Sequence, residues 1–483
     1  MKKTKISKEK IIYTSVISVI SLILAGLIVV NFLHIYKEYD IAPTCEANGG
    51  HFKECILCGD VYEMSQTSAF GHKPATKITI ESSAAKMGVM ETRCTVCKRV
   101  IMLERTPAKF SPIPTLKLVG RGAGMTNVNS ISASFKYAEG VEDENVQAEE
   151  VNGDVRVRLM NGGERVDAKH SYVLNNFSVS EDAQLLFGDF GNCEQIDIYA
   201  NNDDSTFSRR TVTYKQWKNL VSENYYNYNN YITVSDDVEY AGFNMLLYIK
   251  STKPDYSFAG IYTLSVPYRL IAEKNGDANI KYVVRQKFDK NDKDKELFEY
   301  EFGDPAQETA AIESLKKNLA LPVDQLTSSD DANYTNILID YFTFTLITGN
   351  IDGFSDIYWV TSNGVTWYPV PASTEHSYGG KINSIELRSA DEFTSDFGDF
   401  WDKLFDEYYD EIKSRYVQLR DTRLSPANIS VEFERSVSKL DVDVYEADSQ
   451  TYNSKFKDPY VALKELDEWY LSRIAVLNDL FNK

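Results

Sequence analysis

At 483 residues the chain exceeds one ordinary domain, and two or three are expected. Its 43% apolar content, with 31 Tyr and 24 Phe, is enough for a large packed core and excludes a disordered chain. The net charge of −19 excludes nucleic acid as a partner, because phosphates are repelled by such a surface.

Residues 11–36 contain no Asp, Glu, Lys or Arg. That run is long enough to cross a hydrocarbon layer of roughly 30 Å. Lys2, Lys3, Lys5, Lys8 and Lys10 precede it. The positive-inside rule then predicts a cytoplasmic tail at 1–10, a single transmembrane helix at 11–36, and the bulk of the chain outside the cell. A cleaved signal peptide is the rival reading, but NFLHIYKEYD after the run offers no small-x-small cleavage site.

Residues 37–109 hold five of the six cysteines, including the pairs Cys55-Ile-Leu-Cys58 and Cys94-Thr-Val-Cys97. Gly49 and Gly88 sit at the same offset before the two pairs, which defines a weak repeat with a period of 39 residues. Two CxxC knuckles are the usual way a zinc ribbon assembles four thiolates, so Cys55, Cys58, Cys94 and Cys97 are expected on one structural zinc. Two alternatives stand beside this: a single-unit site of Cys45, Cys55, Cys58 and His72, or disulfides formed in an oxidising exterior. The segment also resembles short cysteine repeats of surface proteins of Gram-positive bacteria. Its expected role is a small spacer that needs a staple to fold. Cys193, far from the others, reads as a buried apolar residue.

From residue 110 onward the pattern is first β-rich, in the alternating runs TLKLVG, SISASFKYA, VRVRLM and SYVLNNF. A helical run from Thr211 to Asn224 and the strands MLLYIK and GIYTLSV follow, then a charged hairpin tip or loop at 287–296. Beyond Pro305 the chain reads mainly helical, apart from one hairpin, and ends in an amphipathic helix within YVALKELDEWYLSRIAVLNDLF. Strands first and helices later predict an α+β, two-lobed arrangement over 110–483.

The most informative stretch runs from Asn336 to Gly380. An apolar helix ends at Gly349-Asn350, an acidic loop carries Asp352 and Asp356, and a hairpin spans Ile357–Val360 and Val365–Val370 around Asn363-Gly364. Glu375 follows directly. Antiparallel pairing brings the two acidic points back near each other, the order in which kinase-type folds present a base and metal ligands. Asp352 is then the candidate base, Asp356 and Glu375 candidate Mg²⁺ ligands, His376 a second base, and Lys169 the cation for nucleotide phosphates. Asp204 fits a helix cap, with Arg209 and Arg210 as its neighbours. No GxGxxG or P-loop occurs, and Asp396-Phe397-Gly398 reads as the cap of the following helix.

These residues together resemble the CotH spore-coat kinase family, an atypical branch of the protein-kinase-like proteins. The resemblance covers Pro112 to Leu480. It rests on Arg158 through Lys169 and Tyr172, on Asp204-Ser205-Thr206 with Arg209, and on Gly260-Ile-Tyr262-Thr-Leu264. Asp352-Gly353 with Tyr358 and the last helix complete it. It implies a kinase-like fold, ATP and Mg²⁺ as cofactors, and Ser/Thr of surface or secreted proteins as acceptors. The chain departs from the family at three places. Asp356 stands near the position of an Asn, Ala372-Ser373-Thr374-Glu375 replaces Trp-Asp-Leu-Asp, and Val266 replaces a Glu. An octahedral Mg²⁺ site tolerates such changes poorly. The expectation is therefore a membrane-anchored pseudokinase that binds or scaffolds cell-envelope or secreted proteins. An active Mg-ATP-dependent phosphotransferase is the alternative.

Overall fold

In the computed structural model of the protein the described residues are 8–32, 34–83, 86–121, 124–142, 145–146, 148–161, 169–179, 194–224, 242–274, 280–289, 292–322, 325, 333–381, 384–392, 394–452 and 458–482. Cys193 and the glycine turn preceding Lys169 lie outside them. By internal contacts the chain divides into two compact units, residues 1–78 with 91–103 and residues 79–90 with 104–483.

Helix α1 (Lys8–Phe32) opens the chain. Among the described residues no helix is long and apolar enough to cross a membrane. The expected transmembrane helix and the single-pass membrane location are therefore corrected.

Two three-stranded sheets follow, an antiparallel one of β1 (Tyr36–Ile41), β2 (Gly49–Cys55) and β3 (Val61–Thr67), then one of β4 (Pro74–Ile80), β5 (Gly88–Cys94) and β6 (Val100–Thr106). The sequence repeat is thus a structural one. Gly49 and Gly88 each open a central strand, where a Cβ would lie 2.3 Å from the Ile41 carbonyl oxygen and 2.5 Å from that of Ile80, respectively. Only glycine fits so close to a backbone.

The two-lobed, kinase-like expectation is also corrected: the chain is a mixed α/β protein with about as much helix as strand. Seven strands, β7 (Thr115–Val119), β8 (Ile131–Ala138), β9 (Glu150–Leu159), β10 (Tyr172–Val179), β11 (Gln195–Tyr199), β12 (Phe243–Lys250) and β13 (Ser257–Ser265), close into a barrel. Its order is β10-β11-β13-β12-β7-β8-β9, and β9 pairs back to β10. The closing contact that local patterning could not reveal is the parallel pairing of β12 with β7, from Leu246 opposite Thr115 to Lys250 opposite Val119. The alternating runs behave as such a barrel requires: Leu116, Leu118, Phe135, Tyr137, Val155 and Val157 point inward and are buried. Helix α2 (Arg209–Asn224) intervenes between β11 and β12.

Helix α3 (Tyr268–Lys274) leads into a second sheet. Its strands β14 (Tyr282–Asp289), β15 (Asp292–Phe302), β16 (Asp356–Thr361) and β17 (Tyr368–Pro371) lie in the order β15-β14-β16-β17. The charged stretch falls in a hairpin, since β14 and β15 pair as far as Asp289 opposite Asp292, with residues 290 and 291 outside the described residues. Helices α4 (Glu308–Ala320) and α5 (Tyr334–Thr348) precede β16, and α6 (Asp399–Glu407), α7 (Tyr409–Asp421), α8 (Pro426–Val437), α9 (Val442–Tyr452) and α10 (Pro459–Phe481) follow β17. Helix α10 starts on the Asp458 side chain, which accepts from the N–H groups of Tyr460 and Val461, with Pro459 at the first helical position. Its buried stripe includes Leu466, Trp469, Tyr470 and Leu477.

Candidate functional site

Helix α5 is apolar on almost every side and buried from Ile337 to Thr348. It stops because Gly349 adopts a left-handed conformation (φ 60°), which lets the Gly349 and Asn350 N–H groups return to the Leu346 and Thr345 carbonyls. Asn350 then turns the chain: its side chain donates to the Ser373 carbonyl at 2.8 Å and accepts from the Asp352 N–H at 3.3 Å. The Asp352 carbonyl accepts from the N–H groups of Ser355 and Asp356, leaving the Asp352 carboxylate presented at the loop's edge. Two buried arginines hold this region. Arg388 donates to the carbonyls of Gly349, His376 and Gly380, and Arg473 of α10 donates to those of Leu346, Ala390 and Glu392. Cations at the C-terminal carbonyls of α5 also complement its dipole.

The hairpin delivers its second acidic point to the same place. His376 Nδ1 lies 2.5 Å from the Asp352 carboxylate and Nε2 lies 3.5 Å from that of Asp203. Burial works to lower the imidazole pKa, but hydrogen bonds to Asp203 and Asp352 and the nearby Glu375 charge outweigh it and push it up to about 10. Glu375 is paired with Arg210 at 3.0 Å, and Arg210 stacks over the Tyr199 ring at 3.8 Å. Asp356, the first residue of β16, is gripped by both ends of the Arg285 fork at 2.7 Å from β14, and Ser373 donates to it at 3.0 Å. Asp352, Glu375 and His376 therefore converge, with Asp356 tied to the same loop through Ser373. Each of the three carboxylates faces a cationic side chain.

Lys169 is placed otherwise than the sequence suggested. Its ammonium is 2% exposed, 2.6 Å from Asp448 of α9 and 2.7 Å from the Ile261 carbonyl, with the Phe207 and Tyr262 rings within 5 Å. Burial lowers its pKa, and the Asp448 charge and hydrogen bond oppose that. It is enclosed, not offered to a phosphate. Asp204 caps α2: its carboxylate accepts from the N–H groups of Thr206, Ser208 and Arg209 and pairs with the Arg209 side chain. Asp396-Phe397-Gly398 is structural, with Phe397 packed against Phe342 and Phe354 and Gly398 at the start of α6. A cavity of about 310 Å³, lined in part by Pro114, Thr211, Lys215, Asn244, Arg435 and Tyr445, lies elsewhere in this unit.

In the first unit, cysteine and histidine groups can hold a metal ion. Cys45, His72, Cys94 and Cys97 bring one ligand atom each within 4.8 Å of one another, and so do His34, Cys55 and Cys58. The two CxxC pairs thus fall into separate groups, not onto one ion. The single-unit set of Cys45, Cys55, Cys58 and His72 is not assembled either. Among the described cysteines none is in a disulfide.

Both knuckles share one geometry. The Gly59 and Lys98 N–H groups return to the Cys55 and Cys94 carbonyls at 2.8 and 3.0 Å, with φ of 76° and 67°. Burial raises the Cys55 thiol, but the N–H groups of Cys58 and Leu57, the Cys58 thiol and His34 bring it down to about 6. The Cys97 N–H, against burial, and then the Lys73 N–H and His72, bring Cys94 down to about 5. A thiolate is the form a metal needs. Burial and the neighbouring Cys94 and Cys97 push Cys45 up to about 11. His72 Nδ1 faces Cys97 Sγ at 3.5 Å while Nε2 meets the Glu46 carboxylate at 3.1 Å, a second contact that orients the ring.

Residues missed from sequence include His34, Asp203, Arg285 and Asp448. His34 had a signal: it stands 21 residues before Cys55, as His72 stands 22 before Cys94. The other three are brought in by tertiary contacts with no local pattern. Compared with known proteins, the sequence matches no family model and no curated protein significantly.

Proposed function

We propose that the chain is a degenerate relative of the CotH kinases that works as a binding or scaffolding module for cell-envelope or secreted proteins, without phosphoryl transfer. One observation carries the reading: each carboxylate that the resemblance assigns to base or metal is already matched by an internal cation. These are Asp352 with His376, Glu375 with Arg210, and Asp356 with Arg285. Phosphoryl transfer depends on Mg²⁺ and a lysine to neutralise the transferring phosphate. Here a divalent ion would compete with an imidazolium and two guanidinium groups, and Lys169 is spent on Asp448. Among the described residues Asp352, Asp356 and Glu375 do not form a group at metal-ligand spacing.

The test is thermal stability of the protein with ATP and Mg²⁺ or Mn²⁺, together with transfer of the γ-phosphate to protein acceptors. The expected result is no stabilisation and no transfer. Ligand at a hundredfold its Kd would add about 2.7 kcal/mol; such a gain, abolished by Asp352→Ala, overturns the reading. The second reading, an active Mg-ATP-dependent phosphotransferase, is favoured by the convergence of Asp352, Glu375 and His376 at one partly exposed edge.

The metal of the Cys45, His72, Cys94 and Cys97 group is proposed to be zinc in a structural role, since three thiolates and one imidazole suit a closed tetrahedral site. Metal analysis of the purified protein tests this, with loss of that ion expected on Cys94→Ser.

A further inference from the structure

We infer that the two cysteine and histidine groups differ in kind. The Cys94 and Cys97 group is closed, whereas His34, Cys55 and Cys58 hold a metal with one position left open for a thiolate from another molecule. The inference rests on the metal reading above and goes beyond it.

The two groups are built on the same frame. In each, a histidine two residues before the first strand of a sheet faces the second cysteine of the CxxC that ends the central strand: His34 Nδ1 to Cys58 at 3.4 Å, His72 Nδ1 to Cys97 at 3.5 Å. They part at the fourth ligand. Cys45 lies in the link between β1 and β2, within the first repeat, yet its Sγ is 3.8 Å from Cys94 of the second repeat. The first repeat therefore gives its own link cysteine away. Among the described residues no fourth His, Cys, Asp or Glu atom joins His34, Cys55 and Cys58 at ligand spacing.

The outer contacts differ in the same direction. His72 is oriented by Glu46, which Arg99 also pairs, whereas the His34 ring stacks on Tyr36. In both groups the first cysteine of the CxxC is buried and the second exposed; the groups differ at the histidine, exposed at His34 and half-buried at His72, and in the buried Cys45 that only the second has. Structural sites close all four positions with protein ligands, and a site with three protein ligands keeps the fourth for solvent or a bound group. The two thiolates make this donor set soft, and the fourth donor of the other group, Cys45, is itself a sulfur ligand. Binding exchanges the metal-bound water for the sulfur, and the thiol proton passes to solvent. The Asp60 carboxylate interacts with Cys58 but lies outside the ligand spacing of the group, so within the chain it is the nearest rival to an incoming thiolate.

The experiment uses the full chain loaded with Co²⁺ and titrated with 2-mercaptoethanol, reading bound metal and the thiolate-to-cobalt charge-transfer band. Two Co²⁺ per chain are expected, one for each group. Thiol should intensify the band without loss of metal. His34→Ala should abolish the increase, and Asp60→Asn should preserve it. Cys45→Gly should open the second group as well and roughly double the increase. A wild-type band indifferent to thiol with two Co²⁺ bound, or one Co²⁺ per chain that survives His34→Ala, overturns the open site. No bound Co²⁺ overturns the metal reading itself.

Discussion

His376 is clamped between two carboxylates, Asp352 at 2.5 Å on Nδ1 and Asp203 at 3.5 Å on Nε2. Only the imidazolium can donate from both nitrogens at once, so the ring is a fixed positive charge on the carboxylate that the resemblance would make the base. The pKa of about 10 expresses the same fact.

The first prediction is a pH dependence. The folded-state pKa of His376 is raised above its unfolded value near 6.5. Its contribution is therefore fully present below that value and is lost as pH rises towards about 10. Its size should be on the order of a few kcal/mol. Thermal melts between about pH 6 and pH 10 should show a progressive alkaline loss that His376→Gln flattens. Parallel curves for the two proteins would refute the clamp.

The second concerns the positive charge that the imidazolium supplies. In His376→Ala the carboxylates of Asp203, Asp352 and neighbouring Glu375 lose one positive charge. Millimolar Mg²⁺ should then raise the melting temperature of the variant and leave the parent unchanged, with NaCl at equal ionic strength as control. An equal response of both proteins would mean that the carboxylates already accept a metal.

The third concerns Lys169 and Asp448. Asp448 Oδ2 accepts from the Lys169 ammonium and the Ile261 N–H, while its Oδ1 is buried with no hydrogen-bond partner among the described residues. Gly260 makes room for the pair, since a Cβ there would lie 2.5 Å from Asp448 Oδ2. Lys169→Met alone should cost about 3–5 kcal/mol by stranding a buried carboxylate. The double variant Lys169→Met with Asp448→Leu should cost clearly less than the sum of the single changes. Urea unfolding of the four proteins measures the coupling, and additivity would refute it.

The fourth uses the repeat. Gly49→Ala and Gly88→Ala should each destabilise by about 1–3 kcal/mol, because the added methyl meets backbone in both sheets. Lys98→Gly should instead stabilise by up to about 1 kcal/mol, because Lys98 holds the left-handed conformation that Gly59 holds without strain. Melting of the metal-loaded protein reads all three.

Local patterning was enough to locate most elements. The alternating runs at β7 to β10, the apolar helix α5 with its Gly349 stop, the hairpin of β16 and β17, and α10 follow from side-chain period and turn chemistry. The convergence of Asp352 and Glu375 was legible for the same reason, since a hairpin returns its second arm to its first. Charge partners were not. Arg285, Arg210, Asp203 and Asp448 come from other strands and helices, so which carboxylate is neutralised is fixed only when those elements pack. The barrel likewise depends on β12 lying parallel to β7 across more than a hundred residues, a pairing with no local signature. The sequence by itself determined the two CxxC knuckles, because their turns are local. Tertiary structure alone decided that Cys45 crosses from one repeat to the other, because a ligand set is a distance in space and not a spacing along the chain.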